Sequence, residues 1–437
     1  MVELTYAALR EAVEGSAVAF RAVTRLEPVG GPADKLFPPT FGDEVTVPPP
    51  LEGHSELVGR RTKYAVEWRR IEGRSRLCVL LDSVPSQANR MEEALLEGWS
   101  RGEVPIPMVR VDFRGETHED PALDLSTLCG DGTITALEAP HRLADALLRD
   151  SLLDGVPFRV SEPGRWFTEA SVSNAVAVYA MCPTALILGQ WDSTGPKGGL
   201  GAKFQRALVS EIVGVGVEFG SKTASRLDPA GIVKTEIYAA ADAKEEWTLE
   251  ADEAKLDKKK PMLLKRGGGK AGTPAVINHG NVTPTVDTMT GGVTVDYAEQ
   301  TTVLSLPVLR RLRFVKDIKG DALPRGAEGA ARVALAALAL AAVVYGRERG
   351  WDLRSRCALR ATHPARFELV PADGGEPVVF ELDRAVVSRL LGEAAAKAAA
   401  AGLPWHGEPL ELQPMPKLVS LIRRSRALSV VEGGDEA

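Results

Sequence analysis

The sequence predicts an α+β protein, on three observations. Apolar residues alternate at period two over Ser16–Leu26 and again over Val293–Leu306. Residues 16–188 read in the order β-hairpin, helix, strand, helix, strand. Beyond residue 326 the chain turns alanine-rich at helical spacing. A length of 437 residues allows two or three domains, and 44% hydrophobic residues suffice for a sizeable core. No internal repeat of fixed period is visible.

In the first strand, Val18, Phe20 and Leu26 fall on one face and Arg21 and Arg25 on the other. That second face is a solvated surface or a sheet that tracks phosphates. The turn-rich Val29–Phe41 then sets Lys35 beside Phe37 and Phe41. Cations interleaved with aromatics suit single-stranded nucleic acid, whereas Phe-Pro-Pro alone is more often a stiff loop pinned to a core. Arg60–Arg70 and Arg76–Leu81 form a hairpin turned at Glu72-Gly73. A helix follows, capped by Asp82 or Ser83, with Pro85 in its first turn. Val84, Ala88, Met91 and Leu95 are its buried stripe, and Gly98 is expected to stop it. Gln87, Asn89 and Arg90 lie off that stripe, on a face expected to be solvated.

Pro107–Phe113 is the next strand and Glu116–Gly132 a polar connection. Pro140–Leu153 has helical spacing, with Ala144, Leu147, Leu148 and Leu152 inward and His141 and Arg142 at its start. His141 has no carboxylate or cysteine at a supporting spacing, so catalysis there is disfavoured. The apolar run Ala185–Leu188 reads as a doubly buried strand, followed by a glycine loop and, from Ala202, a helix with Phe204, Ala207, Leu208 and Ile212 as its stripe. Gly195, Gly198, Gly199 and Gly201 would let backbone N–H groups approach an anion, with Lys197, Lys203 and Arg206 adding charge and Trp191 a flat face for a base. The same glycines also serve a plain tight turn. Nucleotide-binding fingerprints do not fit: Lys197 is followed by Gly198 where a P-loop has Ser or Thr, and Phe204 stands where a dinucleotide motif has glycine.

Lys255–Asn281 is basic and glycine-rich, with Lys258, Lys260, Lys265, Arg266 and Lys270, and is expected to be mobile in free solution. It is a solvated linker or a flap that orders on RNA. Pro307–Phe314 is a helix carrying Arg310, Arg311 and Arg313, and helices at Gly326–Tyr345 and Asp383–Ala401 flank strands near Arg366–Val370 and Val378–Leu382.

A net charge of −6 and a pI near 5.7 confine any nucleic-acid contact to local patches. Cys78, Cys129, Cys182 and Cys357 form no Cys-x-x-Cys pair, which excludes a recognisable zinc site and points to reduced thiols in a cytoplasmic protein. The N-terminus lacks the basic start and apolar core of a signal peptide. Val333–Tyr345, flanked by Arg332, is shorter than the about 20 residues of a membrane span and reads as a core helix.

Several blocks together carry a resemblance. Val29–Phe41, Leu81–Glu93, Ala139–Asp145, Gly189–Gly195 with the glycine loop, Ile277–Asn281 and Leu309–Phe314 resemble the backbone subunit of the type I-G (formerly I-U) CRISPR surveillance complex, a RAMP-superfamily protein. They occur in family order over roughly residues 15–315, the C-terminal part being covered less clearly. The resemblance implies a modified RRM or ferredoxin-like palm with inserted elements, placed over 1–320, while composition marks a basic flap about 252–282 and a mainly helical lobe over 321–437. It implies no catalysis and no cofactor. It also implies partners: crRNA, target DNA, neighbouring copies in a helical filament, the large subunit, a fused capping and processing subunit, and a recruited helicase-nuclease. The RNA contacts it favours are Lys35, Gln87, Asn89, Arg90, Arg142, Trp191, Lys197, Lys203 and Arg206, with Lys258, Lys260, Lys265, Arg266 and Lys270 in support. The competing reading is a metal-dependent RNA-cleaving RAMP subunit using a loop aspartate, Asp34 or Asp192, which no carboxylate cluster or general acid at a readable spacing supports.

Overall fold

A computed structural model of the chain describes residues 3–193, 202–232, 234–242, 246–266, 270–405 and 407–436, with side chains of the final helix as far as 428. Lys197 and the glycines at 195, 198, 199 and 201 lie outside the described residues, as do Gly267–Gly269. Helices and antiparallel strands are mixed in an α+β fold. The chain divides into one unit of residues 1–119, 124–218 and 293–419 and another of residues 120–123, 219–292 and 420–437.

The first unit is built on a nine-stranded sheet. Its strands are β1 (Ala19–Pro28), β2 (Val66–Ile71), β3 (Arg74–Asp82), β4 (Leu208–Val215), β5 (Tyr297–Ser305), β6 (Trp351–Asp352), β7 (Ala358–Ala361), β8 (Phe367–Val370) and β9 (Val378–Phe380). The order is β6-β7-β1-β5-β4-β3-β2, with β8 pairing both β1 and β9. Register is set by alternation, because a slip of one residue would turn every apolar side chain outward. Phe20, Ala22, Thr24 and Leu26 of β1 are buried, and Arg21, Val23 and Arg25 are exposed. Ala19 lies opposite Ser305 and Leu26 opposite Ala298, while Leu208 lies opposite Leu304 on the other side of β5. The β2–β3 hairpin turns at Glu72 and Gly73, both in the left-handed region at φ 49° and 76°, as a two-residue hairpin turn requires.

Four of the helices are α1 (Tyr6–Glu14), α2 (Val84–Ser100), α3 (Ala327–Glu348) and α4 (Arg384–Ala400). Ser83 caps α2 by accepting from Ser86 N, and Pro85 sits in its first turn. Gly98 does not end α2 but lies inside it. A Cβ there would stand 2.7 Å from Tyr345 Cε1 and Val104 Cγ2, so glycine serves close helix packing rather than termination. Helix α3 packs against α1, α2 and α4 and is buried along most of its length. It is long and apolar enough to cross a membrane, but 83% of its apolar window is buried within the protein, as befits a core helix. Residues 321–437 supply α3 and α4 together with strands β6–β9 of the sheet.

Three local expectations are corrected. Thr184–Leu188 is a short helix, not a strand. Residues from 202 onward form no helix: Lys203–Phe204 is a short strand and Leu208–Val215 is β4. Phe204, Leu208 and Ile212 are spaced by four, a multiple of the strand period as well as nearly one helical turn, so the stripe fits either. Pro140–Leu153 is broken into a 3-10 turn at Arg142–Ala144, a single helical turn at Ala146–Arg149 and the strand Ser151–Leu153. Arg142 at φ 48° and the Asp145 cap on Leu147 N divide it.

The second unit carries a two-stranded ribbon, Lys222–Arg226 with Val282–Asp287, and a small core of Ile237, Ala239, Leu264 and Val276. The basic segment contains a defined hairpin, Leu256–Asp257 with Lys260–Pro261, turned at Lys258 and Lys259.

Candidate nucleic-acid interface

Gly189 opens the site. At φ 92°, with Arg206 Cγ 2.7 Å from where a Cβ would be, only glycine fits there. Gln190–Trp191 then pairs with Lys203–Phe204 in a two-stranded ribbon. Alternation buries Gln190 and Phe204 and leaves the facing pair Trp191 and Lys203 exposed. Trp191 is 58% exposed, and Lys203 Nζ lies 5.5 Å from the centre of its ring. Arg206 is exposed nearby. These side chains, with His141, Ser193 and Gln205, line an open groove of about 780 Å³ that reaches Val209 at the start of β4. An aromatic face flanked by cations offers a base something to stack on and its phosphates a counter-charge.

Other residues favoured from sequence are engaged inside the protein. Gln87 is buried, donating to Asp82 Oδ2 at 2.6 Å and accepting from Ser210 and Gln300. Arg90 donates to Asp82 Oδ2 at 3.0 Å and to Leu353 O at 2.7 Å. Asp82, fully buried, also accepts from Ser86 and lies 3.6 Å from Arg354. Arg142 donates through Nε and Nη2 to Glu92, both at 2.7 Å, and through Nη1 to Gly189 O at 3.0 Å. Burial raises the Glu92 carboxyl above its ordinary range despite that partner. Asn89 is exposed in a separate hollow of about 490 Å³ shared with Glu93, Glu138 and Arg349, so the structure does not bring it to the Trp191 groove.

Lys35 is half-buried in its loop, where Leu36 N donates to Val293 O and Arg356 covers the Phe37 ring at 4.6 Å. Lys258, Lys260, Lys265 and Lys270 are exposed on the second unit, and Arg266 pairs with Glu246. Asp192, one of the two aspartates considered for cleavage, is fully buried and accepts from Arg159 Nη1 at 2.7 Å. Asp34 is exposed, 3.9 Å from Arg356. Among the described residues no group of three or more His, Cys, Asp or Glu side chains could hold a metal ion.

Sequence reasoning missed the inward roles of two further blocks. Arg310 donates to the carbonyls of Ala12 and Val13 in the last turn of α1 and of Ala17 just beyond it. In the second unit, Asp228 accepts from Gly280 N while its own N donates to Asn281 Oδ1, so the Ile277–Asn281 block closes a loop. A polar residue predicted on a solvated face but placed one position from an apolar stripe, as Gln87 is, was the available signal.

By class, the chain is an α+β protein. Residues 20–219 match the model of the family described as CRISPR-associated protein GSU0053, which supports a role in CRISPR-Cas defence. No curated protein matches the chain.

Proposed function

We propose that this chain is the crRNA-binding backbone subunit of a type I-G Cascade complex, polymerising along the guide and presenting it for pairing with target DNA without itself cutting. The observation that carries this reading is the groove in which Trp191, Lys203 and Arg206 stand together and exposed. The family match supplies the CRISPR setting. RNA pairing then reads the sequence and the protein reads backbone, the division of labour of RNA-guided effectors. A chain of net charge −6 suits that role only if its cations are gathered locally, as these are. The proposed partners are the guide, target DNA, further copies of this chain, the large and capping subunits, and a helicase-nuclease. The palm of the RRM type belongs to the same proposal.

The test is co-expression with a CRISPR array, followed by light scattering and the ultraviolet absorbance ratio before and after RNase. A large RNA-rich species that shrinks on digestion is expected. Nucleic-acid-free monomer, with the other subunits present as well as absent, overturns the reading.

A further inference from the structure

The ribbon that displays Trp191 has two residues in each strand, too few to hold its shape by strand pairing alone. What fixes it lies beneath. At one end, Arg142 bridges Glu92 of α2 and the Gly189 carbonyl, and Gln190 Nε2 donates to His141 O at 3.0 Å. At the other end, Asp192 N donates to Ala202 O at 2.9 Å and its carboxylate takes Arg159. Both ion pairs are nearly closed to solvent: the side chains are 11% and 2% exposed for Arg142 and Glu92, and 10% and 1% for Arg159 and Asp192. Among the described residues Arg159 Nε and Nη2 and Asp192 Oδ1 have no hydrogen-bond partner, so that pair carries a desolvation cost that its one bond does not relieve. Buried pairs contribute little net stability compared with apolar residues of the same volume, which turns attention to what they position.

We propose that Arg142–Glu92 and Arg159–Asp192 are positioning pairs, which pin Gly189–Asp192 at both ends so that Trp191 and Lys203 face the groove. The inference rests on the RNA-binding reading of that groove. It also gives Arg142 a role different from a phosphate contact and Asp192 one different from a cleaving acid. Arg142 lines the groove, but Glu92 and the Gly189 carbonyl take all three of its guanidinium nitrogens. Each acts through the ribbon.

Two double variants replace the pairs by apolar side chains, R142M/E92L and R159M/D192L, and W191A/K203A serves as the groove control. Binding of a fluorescent single-stranded RNA by the full chain is measured across a salt series, along with cross-linking of Trp191 to 5-iodouridine RNA and the thermal midpoint. Each apolar variant is expected to keep its midpoint within a few degrees, lose about tenfold in affinity, and lose most of the Trp191 cross-link. Its salt slope is expected to stay unchanged, because no phosphate contact has been removed. Should an apolar variant fail to fold, R142K and D192N keep the test open, with the same loss of cross-link expected. A slope reduced by about 0.7 in R142M/E92L would make Arg142 a phosphate ligand and overturn the assignment. Unchanged binding and cross-linking in the pair variants, with W191A/K203A weakened, overturns the pins and leaves the groove standing. Unchanged binding in W191A/K203A as well removes the groove reading itself.

Discussion

The four cysteines show how burial sorts residues of one type. Burial pushes the Cys182 and Cys357 thiols up to about 11 and raises Cys78 above the ordinary thiol range, whereas Cys129 is exposed. At pH 8 a thiol of that raised pKa is thiolate in only about one molecule in a thousand, and the reagent must also reach it. Iodoacetamide on the native protein should therefore modify Cys129 first, and the other three only after denaturation. Peptide mass spectrometry reads this directly, and equal labelling of Cys182 in the native state would contradict the packing. Gly98 gives a second test at this scale. Gly98→Ala sets a Cβ 2.7 Å from the Tyr345 ring and the Val104 methyl, where overpacking costs about 1–3 kcal/mol. That outweighs the about 1 kcal/mol of helix propensity that alanine brings. A lowered thermal midpoint is expected, and a raised one would show that α2 and α3 can separate freely.

At the scale of elements, strong alternation was legible and short apolar runs were not. β1, the β2–β3 hairpin, α2 and α4 could be read because each has a pattern longer than one turn, or a turn chemistry that fixes it. Thr184–Leu188 could not, since five buried residues in a row carry no period at all. The Phe204–Ile212 stripe misled because a spacing of four satisfies both helix and strand. Polar side chains were the other blind spot. Gln87, Arg90, Arg142 and Arg310 resemble surface residues by type, yet their partners, Asp82, Glu92 and the end of α1, are fixed only by tertiary packing. For Arg310 this carries a stability prediction. It donates to the carbonyls of Ala12 and Val13 in the last turn of α1 and of Ala17 just beyond it, and hydrogen bonds from a charged group contribute about 1.5–3 kcal/mol. Arg310→Met should lower the urea midpoint of the first unit clearly, with Arg310→Lys recovering part of the loss. RNA binding per folded molecule should be unaffected. A large drop in affinity with no change in midpoint would instead place Arg310 in the interface.

For the whole molecule the informative quantity is how few cations do the work in an acidic chain. With 53 basic and 59 acidic side chains, the long-range field opposes a polyanion, so binding must come from short-range contacts inside the groove. Such binding releases counterions only where a cation meets a phosphate. For a single strand each contact contributes about 0.7 to the slope of log K against log salt. Lys203 and Arg206 are the exposed cations of the groove on its described residues. Removing both with K203A/R206A should make the slope shallower by about 1.4, and weaken binding most at low salt. Trp191→Ala should instead lower affinity by a similar factor at every salt concentration, because stacking moves no ions. Anisotropy titrations of one RNA from 50 to about 400 mM salt separate the two. If K203A/R206A gave the same slope as the parent chain, the cations that hold the guide would lie elsewhere, and the exposed lysines at 258, 260, 265 and 270 would be the next to replace.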